Sequence, residues 1–418
     1  MGSYRKKWLA GLLSVSLLAG SFGGFRTASA DTKEVSEGTV TSVKADKLPA
    51  GDVILPEAIP LSYTDTVKLS SVPVYYAESA PDLSGLDPVI SGGIGSYGKE
   101  KLGDAQKNFY DSLEKACVEF LQSNKNLDSG SVYAGAASYK DCGLTKDQAL
   151  KTYITFYYDH PAYFWLGGYG TDDSKLYVAV RDDYFKDTVR DSVESMIISG
   201  VGAYAAEAAK YSDVWEKVRA IHDKMILDVE YAYKSDGKTP ENTSWAHTVE
   251  GVFNTARKEV VCEGYSKAFS LITNYLGIPS VFIVGNAGGA HAWNAVSFDG
   301  GNTYSYMDLT WDDAKGTEIS YQWFAMPKKN FESKHEAYKT SGSGWNWQYG
   351  LPTLTTDMTY TYFSKKNAYA TAAVVKDDAS ARTFLQKAGA AASAPTMVIL
   401  ADTKEIIGLL TKAQAGVS

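Results

Sequence analysis

The chain of 418 residues is poor in cysteine and lacks metal-binding motifs and long basic runs. Three cysteines are too few for a disulfide-stabilised scaffold of this length, so the fold must depend on its apolar core. The sequence contains no paired-cysteine motif, no zinc-binding helix motif and no glycine-rich phosphate loop, so we expect neither a cofactor nor a metal. A net charge of −8 without a sustained Lys/Arg run argues against nucleic acid as a partner.

Residues 1–30 have the pattern of a secretory signal peptide. Basic residues at 5–7 precede a short apolar run at 8–18, and small residues at 28–30 match the pattern of a cleavage site. Ser21 stands where a lipoprotein signal has cysteine, which excludes a lipid anchor. The pattern therefore predicts a secreted, extracellular or cell-envelope-associated protein that has no membrane span after signal cleavage.

The rest of the chain divides by composition and periodicity into four regions. Residues 31–95 are polar and interrupted by proline, which is typical of an extended N-terminal arm. Residues 96–200 are predicted to be mainly helical. Residues 201–355 change to a helix followed by strands and form the predicted core, and residues 365–418 predict a small C-terminal βαβα module.

Local patterns predict several individual elements and side-chain roles. Thr145 opens a capping box, which predicts a helix that stops before Pro161. Residues 163–165 and 176–180 are predicted strands. His222 borders the apolar face of a helix that begins at Asp213, and we expect a packed structural histidine there.

The cysteines differ in their sequence context. Cys117 lies on an apolar helix stripe, so we expect a buried, inert thiol, and we expect no disulfide between Cys117 and Cys142. Cys262 opens a predicted helix, where the helix dipole and the free backbone N–H groups favour a thiolate. We therefore expect Cys262 to line a cleft as a nucleophile.

A predicted hairpin supplies the histidine and the acid that such a nucleophile needs. A two-residue turn at Asp299 and Gly300 would place His291 directly opposite Asp308, with their Cβ atoms about 4.5–5.5 Å apart. The same register would place Trp293 opposite Tyr306. Cys262, His291 and Asp308 thus predict a catalytic triad.

Four blocks carry a resemblance to a known family: residues 262–269, 277–279, 291–294 and 308–313. In order and spacing they resemble the core of the transglutaminase-like superfamily. The resemblance implies a papain-like α+β fold, in which the helix carrying Cys262 packs on an antiparallel sheet carrying His291 and Asp308. It implies that Cys262 is the nucleophile, His291 the base and Asp308 the residue that orients the base.

The resemblance also indicates residues around the triad. Tyr231 matches the upstream tyrosine of the family, whose phenol can assist the Cys262 backbone N–H in an oxyanion hole. Trp293, Asn294 and Trp311 are further candidates for oxyanion or substrate contacts.

We expect an exported cysteine enzyme that acts on peptide or protein amide bonds, such as those of a cell-wall or surface protein. Residues 285–290, which lead to His291, are small and offer no apolar tunnel for an amine, so hydrolysis is favoured over amine transfer. Two alternatives stay open: a protein-glutamine transglutaminase that cross-links its substrates, and a non-catalytic cell-envelope binding or scaffold protein that retains the fold.

Overall fold

A computed structural model describes residues 69–356 except 314–318, 320, 322 and 345. It also describes three strands outside this range, Gly11–Ser16, Ala373–Val375 and Thr396–Ala401. Most of the predicted signal peptide and arm, and the predicted helices of the C-terminal module, lie outside the described residues. The described part mixes helices with largely antiparallel sheets, which confirms the predicted α+β class.

Ten α-helices are present among the described residues: α1 (Pro88–Gly92), α2 (Tyr97–Glu100), α3 (Asp104–Gln122), α4 (Lys146–Asp159), α5 (Asp187–Ala208), α6 (Val214–Asp228), α7 (Glu250–Phe253), α8 (Cys262–Tyr275), α9 (Leu309–Asp312) and α10 (Lys328–Phe331). No helix of the described part is long and apolar enough to cross a bilayer.

Strands number thirteen in the same part of the chain: β1 (Gly11–Ser16), β2 (Val74–Tyr75), β3 (Tyr133–Ser138), β4 (Leu166–Thr171), β5 (Lys175–Val180), β6 (Glu230–Tyr231), β7 (Glu259–Val260), β8 (Ser280–Asn286), β9 (Ala290–Ser297), β10 (Tyr304–Met307), β11 (Glu336–Ala337), β12 (Ala373–Val375) and β13 (Thr396–Ala401).

The chain divides into two compact units. The larger unit, Pro49–Ile319 with Lys334–Thr353, contains one sheet in the order β2-β3-β5-β4, a second in the order β10-β9-β8-β11, and the short parallel pair of β6 and β7. The smaller unit contains the sheet β1-β13-β12 and helix α10. The domain boundaries inferred from the sequence stay predictions.

Helix α8 packs on β8 and β9 at the centre of the larger unit. Twelve of its fourteen residues are buried, because helix α8 also contacts α6, α7 and α9. This burial fixes the direction in which the first turn of the helix points.

The helix predicted from the Thr145 capping box is confirmed. The Thr145 side chain accepts a hydrogen bond from the backbone N–H of Gln148, and the Gln148 side chain accepts one from the backbone N–H of Thr145. The helix ends at Asp159, two residues before Pro161. Helix α5, by contrast, did not emerge as a separate element from the sequence, because Gly200 and Gly202 interrupt its apolar pattern.

The predicted strand at residues 163–165 is wrong. These residues form a buried turn between α4 and β4, and the strand begins only at Leu166. The ring of Tyr163 stacks on His160 and Trp165, and its hydroxyl donates a hydrogen bond to Glu114. A short aromatic run is therefore buried here by side-chain packing and not by strand pairing.

Two glycines offer a test of how tightly helix α8 is held. A Cβ atom on Gly264 would lie 2.6 Å from the Cβ of Val260 and 2.8 Å from the carbonyl oxygen of Ala246, whereas one on Gly202 in α5 would meet nothing within 4 Å. We expect Gly264→Ala to lower the free energy of unfolding by about 1–3 kcal/mol through overpacking. The matched control Gly202→Ala should raise it by about 0.5–1 kcal/mol. Urea unfolding of both variants measures the two changes in the free energy of unfolding. Equal changes would contradict the close approach of Gly264 to Val260 and Ala246.

Candidate active site

Cys262 is the first residue of helix α8, as the sequence predicts. Val261 precedes it in extended conformation, and the adjoining strand β7 pairs in parallel with β6, so that Val260 faces Tyr231. The first N–H groups of a helix have no partner within the helix and carry the positive end of its dipole, so the Cys262 side chain lies at the electropositive end of α8.

The thiol does not line an open cleft. Cys262 has no exposed surface, and His291 and Asp308 are buried as deeply. The cleft predicted at Cys262 is therefore closed in this structure, because the packing that holds α8 against its neighbours also encloses its first turn. A substrate carbonyl can reach the sulfur only after neighbouring residues move.

His291 and Asp308 are in direct contact, but not through the predicted register. Nε2 of His291 lies 2.8 Å from Oδ2 of Asp308. The observed ladder pairs Tyr306 with Ala295 and Tyr304 with Ser297, which is a shift of two residues from the predicted pairing, so Trp293 does not oppose Tyr306.

The longer hairpin loop explains the shift in register. The Asp299 side chain accepts hydrogen bonds from the backbone N–H groups of Asn302 and Thr303, and both Gly300 and Gly301 adopt positive φ. The connection is thus a loop of six residues between Ser297 and Tyr304, not a two-residue turn. Side chains alternate between the two faces of a strand, so a shift of two leaves each side chain on its predicted face. His291 and Asp308 therefore still meet.

The hydrogen bond to Asp308 decides the tautomer of His291. An ionised carboxylate can only accept, so Nε2 carries a proton in both protonation states of the ring, and Nδ1 is the nitrogen that gains and loses one. Nδ1 is buried, and the Cys262 side chain interacts with this imidazole. Burial lowers the pKa of His291, but the charge of Asp308 and the adjacent Cys262 outweigh it and raise this pKa to about 10.

Asp308 is held at both carboxylate oxygens. It forms the N-cap of α9, and its Oδ1 accepts a hydrogen bond from the backbone N–H of Trp311 at 3.1 Å. Burial alone would raise the pKa of Asp308, but the charges and hydrogen bonds of His291 and His335 hold it well below its usual range. The carboxylate is therefore ionised at neutral pH.

His335 is part of this site and did not emerge from the sequence. Its Nε2 lies 2.9 Å from the same oxygen, Oδ2 of Asp308, and its side chain is buried. Two features of the sequence could have drawn attention to His335. The chain has only five histidines, and this one follows Asp308 by 27 residues. Neither signal is specific.

The two tryptophans predicted near the triad enclose its imidazoles. The ring of Trp311 lies 5.4 Å from His291 and 4.3 Å from His335, measured between centroids. The ring of Trp293 lies 6.0 Å from His291 and meets His335 edge-on at 5.0 Å. Both tryptophans are buried, so they limit the rotation of the imidazole rings.

The other two candidates lie in different surroundings. The Asn294 amide donates hydrogen bonds to the carbonyl oxygen of Ser266 and to Oγ of Ser270, each at 2.9 Å, so it joins β9 to helix α8. Tyr231 is buried in β6 beside the strand that leads into Cys262, and its ring contacts Tyr233. The structure thus brings Tyr231 close to the start of α8 and directs Asn294 toward the body of that helix.

The segment after Asp308 is anchored by two further acids. Oδ2 of Asp312 lies 3.2 Å from Nε2 of His222, and Oδ2 of Asp313 accepts a 2.6 Å hydrogen bond from the Tyr265 hydroxyl. His222 is fully buried, as predicted for a structural histidine. These contacts attach α9, and with it Asp308, to helices α6 and α8.

A buried charge cluster lies beside Cys262 in the sequence. The Glu263 carboxylate contacts the ammonium of Lys267 at 2.7 Å and Nδ1 of His247 at 2.9 Å, and it accepts a hydrogen bond from Tyr157. Burial would raise the pKa of Glu263, but Lys267 and His247 lower it to about 2. These contacts attach the first turn of α8 to the segments that carry His247 and Tyr157.

One group among the described residues has the geometry to hold a metal ion. The donor atoms of His291, Asp308 and His335 all lie within 4.8 Å of one another. Both N–O separations, 2.8 and 2.9 Å, are hydrogen-bond lengths. Hydrogen bonding therefore accounts for this cluster.

The sequence of this region matches a known family model. Residues 202–309, which include all three members of the predicted triad, match the model of the transglutaminase-like superfamily. This segment belongs to the transglutaminase-like superfamily. A comparison with curated proteins gives no match.

Comparison with solved structures gives weaker similarities. A transglutaminase has 17% identity and a TM-score of 0.26, over 47% of this chain and 55% of that chain. A Cytophaga hutchinsonii protein classed with the cysteine proteases has 17% identity and a TM-score of 0.24, over 39% and 56% of the two chains. The periplasmic domain of TgpA from Pseudomonas aeruginosa has 14% identity and a TM-score of 0.22, over 33% and 55%.

This chain therefore spans about half the length of those structures.

The charge cluster beside Cys262 yields a stability prediction. Lys267→Met leaves the buried Glu263 without its closest cation, so we expect the free energy of unfolding to fall by about 3–5 kcal/mol. The double variant Glu263→Gln/Lys267→Met should recover much of this loss, because neither charge then remains buried. Urea unfolding measures both.

The exposed pair of Lys210 and Glu207 provides the control for this prediction. Lys210→Met removes the cation of a surface ion pair and should leave the unfolding midpoint unchanged. A Lys267→Met variant as stable as this control would show that the buried cluster does not hold helix α8.

Proposed function

We propose that this chain is an exported cysteine-dependent enzyme that transfers acyl groups from peptide or protein amides, mainly to water. The observation that carries the proposal is the buried His291 imidazole, whose Nε2 contacts Asp308 and which also interacts with the side chain of Cys262. Cys262 at the helix start supplies the nucleophile. Members of the transglutaminase-like superfamily are usually cysteine enzymes, which supports this assignment.

In the proposed reaction, the Cys262 thiolate attacks the carbonyl carbon of the amide and forms a tetrahedral intermediate. The C–N bond then breaks, and Nδ1–H of His291 gives its proton to the leaving amine. Water attacks the resulting thioester while Nδ1 accepts its proton, and the C–S bond then breaks, which releases the acid and restores the pair of Cys262 thiolate and His291 imidazolium. Asp308 keeps the proton on Nε2 throughout, so that Nδ1 alone exchanges protons.

Two features support roles for the surrounding residues. We propose that the backbone N–H of Cys262 stabilises the oxyanion, with Tyr231 assisting from strand β6. We propose that Trp293 and Trp311 form the wall of the site on the imidazole side. Asn294 contributes indirectly, because its amide holds β9 against α8.

We favour hydrolysis over transfer because the segment that leads into His291 lacks bulky side chains. The connection between β8 and β9 consists of Ala287, Gly288 and Gly289. A transferase must exclude water and deliver an amine, which calls for a narrow apolar channel. The main alternative is transamidation by the same triad, and a non-catalytic cell-envelope scaffold is the other.

A thiol-labelling experiment separates the enzyme from the scaffold. We expect iodoacetamide to alkylate Cys262 in a Cys142→Ser background, and His291→Ala to slow this reaction by about 10²-fold, because the base is lost. Peptide mass spectrometry measures the rate of alkylation at pH 7. The Cys262→Ala variant gives the background, because it lacks the thiol. Labelling that is slow and indifferent to His291 would favour the scaffold.

The fate of the acyl group decides between water and amine. When a glutamine-containing protein is incubated with a labelled primary amine, we expect cleaved or deamidated products to exceed amine-labelled products. Both classes should disappear with Cys262→Ala, and mass spectrometry quantifies them. Efficient amine incorporation with little hydrolysis would reassign the chain to transamidation.

Export is tested on the mature protein. If residues 1–30 are a signal peptide, the protein recovered from the medium of a secreting host should begin at Asp31. N-terminal sequencing checks this, and retention of the full N-terminus inside the cell would contradict it.

A further inference from the structure

We infer that His335 is a positioning residue for the proposed acyl transfer: it holds the Asp308 carboxylate and limits how strongly that carboxylate binds the His291 proton. The inference rests on the proposed function, because it assigns His335 a role in the same triad. Cysteine nucleophiles need only one histidine and one orienting group. The second imidazole on the carboxylate therefore calls for its own explanation.

The geometry shows two donors on one oxygen. Nε2 of His291 and Nε2 of His335 lie 2.8 and 2.9 Å from Oδ2 of Asp308, while Oδ1 accepts the backbone N–H of Trp311. Since the carboxylate can only accept, both imidazoles must present an N–H to it. Three donors thus fix the carboxylate in position and in rotation.

Packing determines the orientation of His335 itself. Its ring is buried, lies 4.3 Å from the ring of Trp311 and meets Trp293 edge-on at 5.0 Å. His335 immediately precedes β11, which pairs with β8 next to the strand that carries His291. The donor is therefore held on the sheet before any substrate arrives.

The shared oxygen has a consequence for proton affinity. Each N–H on Oδ2 takes up part of the negative charge of Asp308, so the two histidines compete for the same carboxylate. Removing the His335 donor strengthens the attraction between Asp308 and the His291 imidazolium, which then holds its proton to higher pH. Two titratable groups that lie against His335 are the carboxylate of Asp308 and the imidazole of His291.

A structural role alone predicts something different. A buried histidine that only fills space would affect stability when replaced, but would not move the pH range in which Cys262 reacts as a thiolate. Replacing a positioning residue shifts that pH range, and a substitute that keeps an N–H at the same place restores the original range. The conservative substitute is glutamine, because its amide nitrogen reaches about as far as Nε2 of histidine.

The experiment follows alkylation of Cys262 by iodoacetamide from pH 5 to pH 11 in the full chain with Cys142→Ser. In the parent we expect the rate of alkylation to be constant over a range of pH, which we call the plateau. The upper end of this range, its alkaline limit, reflects deprotonation of His291. His335→Phe, which keeps an aromatic ring but no donor, should lower the plateau about tenfold, as expected for a lost hydrogen bond to a charged group. It should also move the alkaline limit to higher pH. His335→Gln should stay close to the parent.

The matched control is His160→Phe. His160 is also buried and also bonded to a carboxylate, that of Glu114, but it lies among α3, α4 and their aromatic neighbours. The His160→Phe variant should have a lower melting temperature than the parent, but the same alkaline limit of Cys262 alkylation. If His335→Phe does not fold, His335→Gln and His335→Asn carry the test, because the shorter asparagine cannot reach Asp308.

The outcomes separate this inference from the proposed function. His291→Gln should abolish the plateau; if it does not, the triad itself is wrong. If His291→Gln abolishes it while His335→Phe leaves both plateau and alkaline limit unchanged, the triad stands and the role of His335 is overturned. The role is also overturned if asparagine and glutamine at position 335 behave alike.

Discussion

The arrangement of the site depends on the carboxylate of Asp308. It caps helix α9 through the Trp311 N–H, and it accepts one N–H from each of two buried imidazoles, His291 and His335. A buried charge is tolerated only when its hydrogen-bonding capacity is used, and here three donors use it. The same bonds keep a proton on Nε2 of His291 and leave Nδ1 as the nitrogen that exchanges its proton. The Asp308 carboxylate therefore both caps a helix and orients the imidazole of the proposed reaction.

Much of the site could be predicted because the chemistry depends on residue type and on strand parity. A cysteine at a helix start and a histidine before an Asp-Gly loop were enough to select Cys262, His291 and Asp308. The register inferred from a two-residue turn was wrong, because Asp299 and two glycines form a longer loop. The predicted register was wrong by an even number of residues, so every side chain still lies on its predicted face of the strand.

What could not be predicted depends on long-range packing. All five histidines of the chain are buried beside a carboxylate, yet only the pair of His291 and Asp308 was visible as a local pattern. His335 reaches Asp308 from the position just before strand β11. Glu263 contacts Lys267 one helical turn away and His247 on a separate segment. Residues 163–165 failed as a strand because aromatic burial, not backbone pairing, stabilises that turn.

The central claim is that Asp308 keeps His291 protonated at Nε2 and raises its proton affinity. Imidazole ¹⁵N NMR across a pH titration tests this most directly, with His291→Gln assigning the resonances. Because His291 gains proton affinity in the folded state, we predict that its ring stays charged up to a pKa of about 10, and that Asp308→Asn moves this titration toward the ordinary value of about 6.5. Titration of His291 near 6.5 in the unmodified protein, unchanged by Asp308→Asn, would contradict the account.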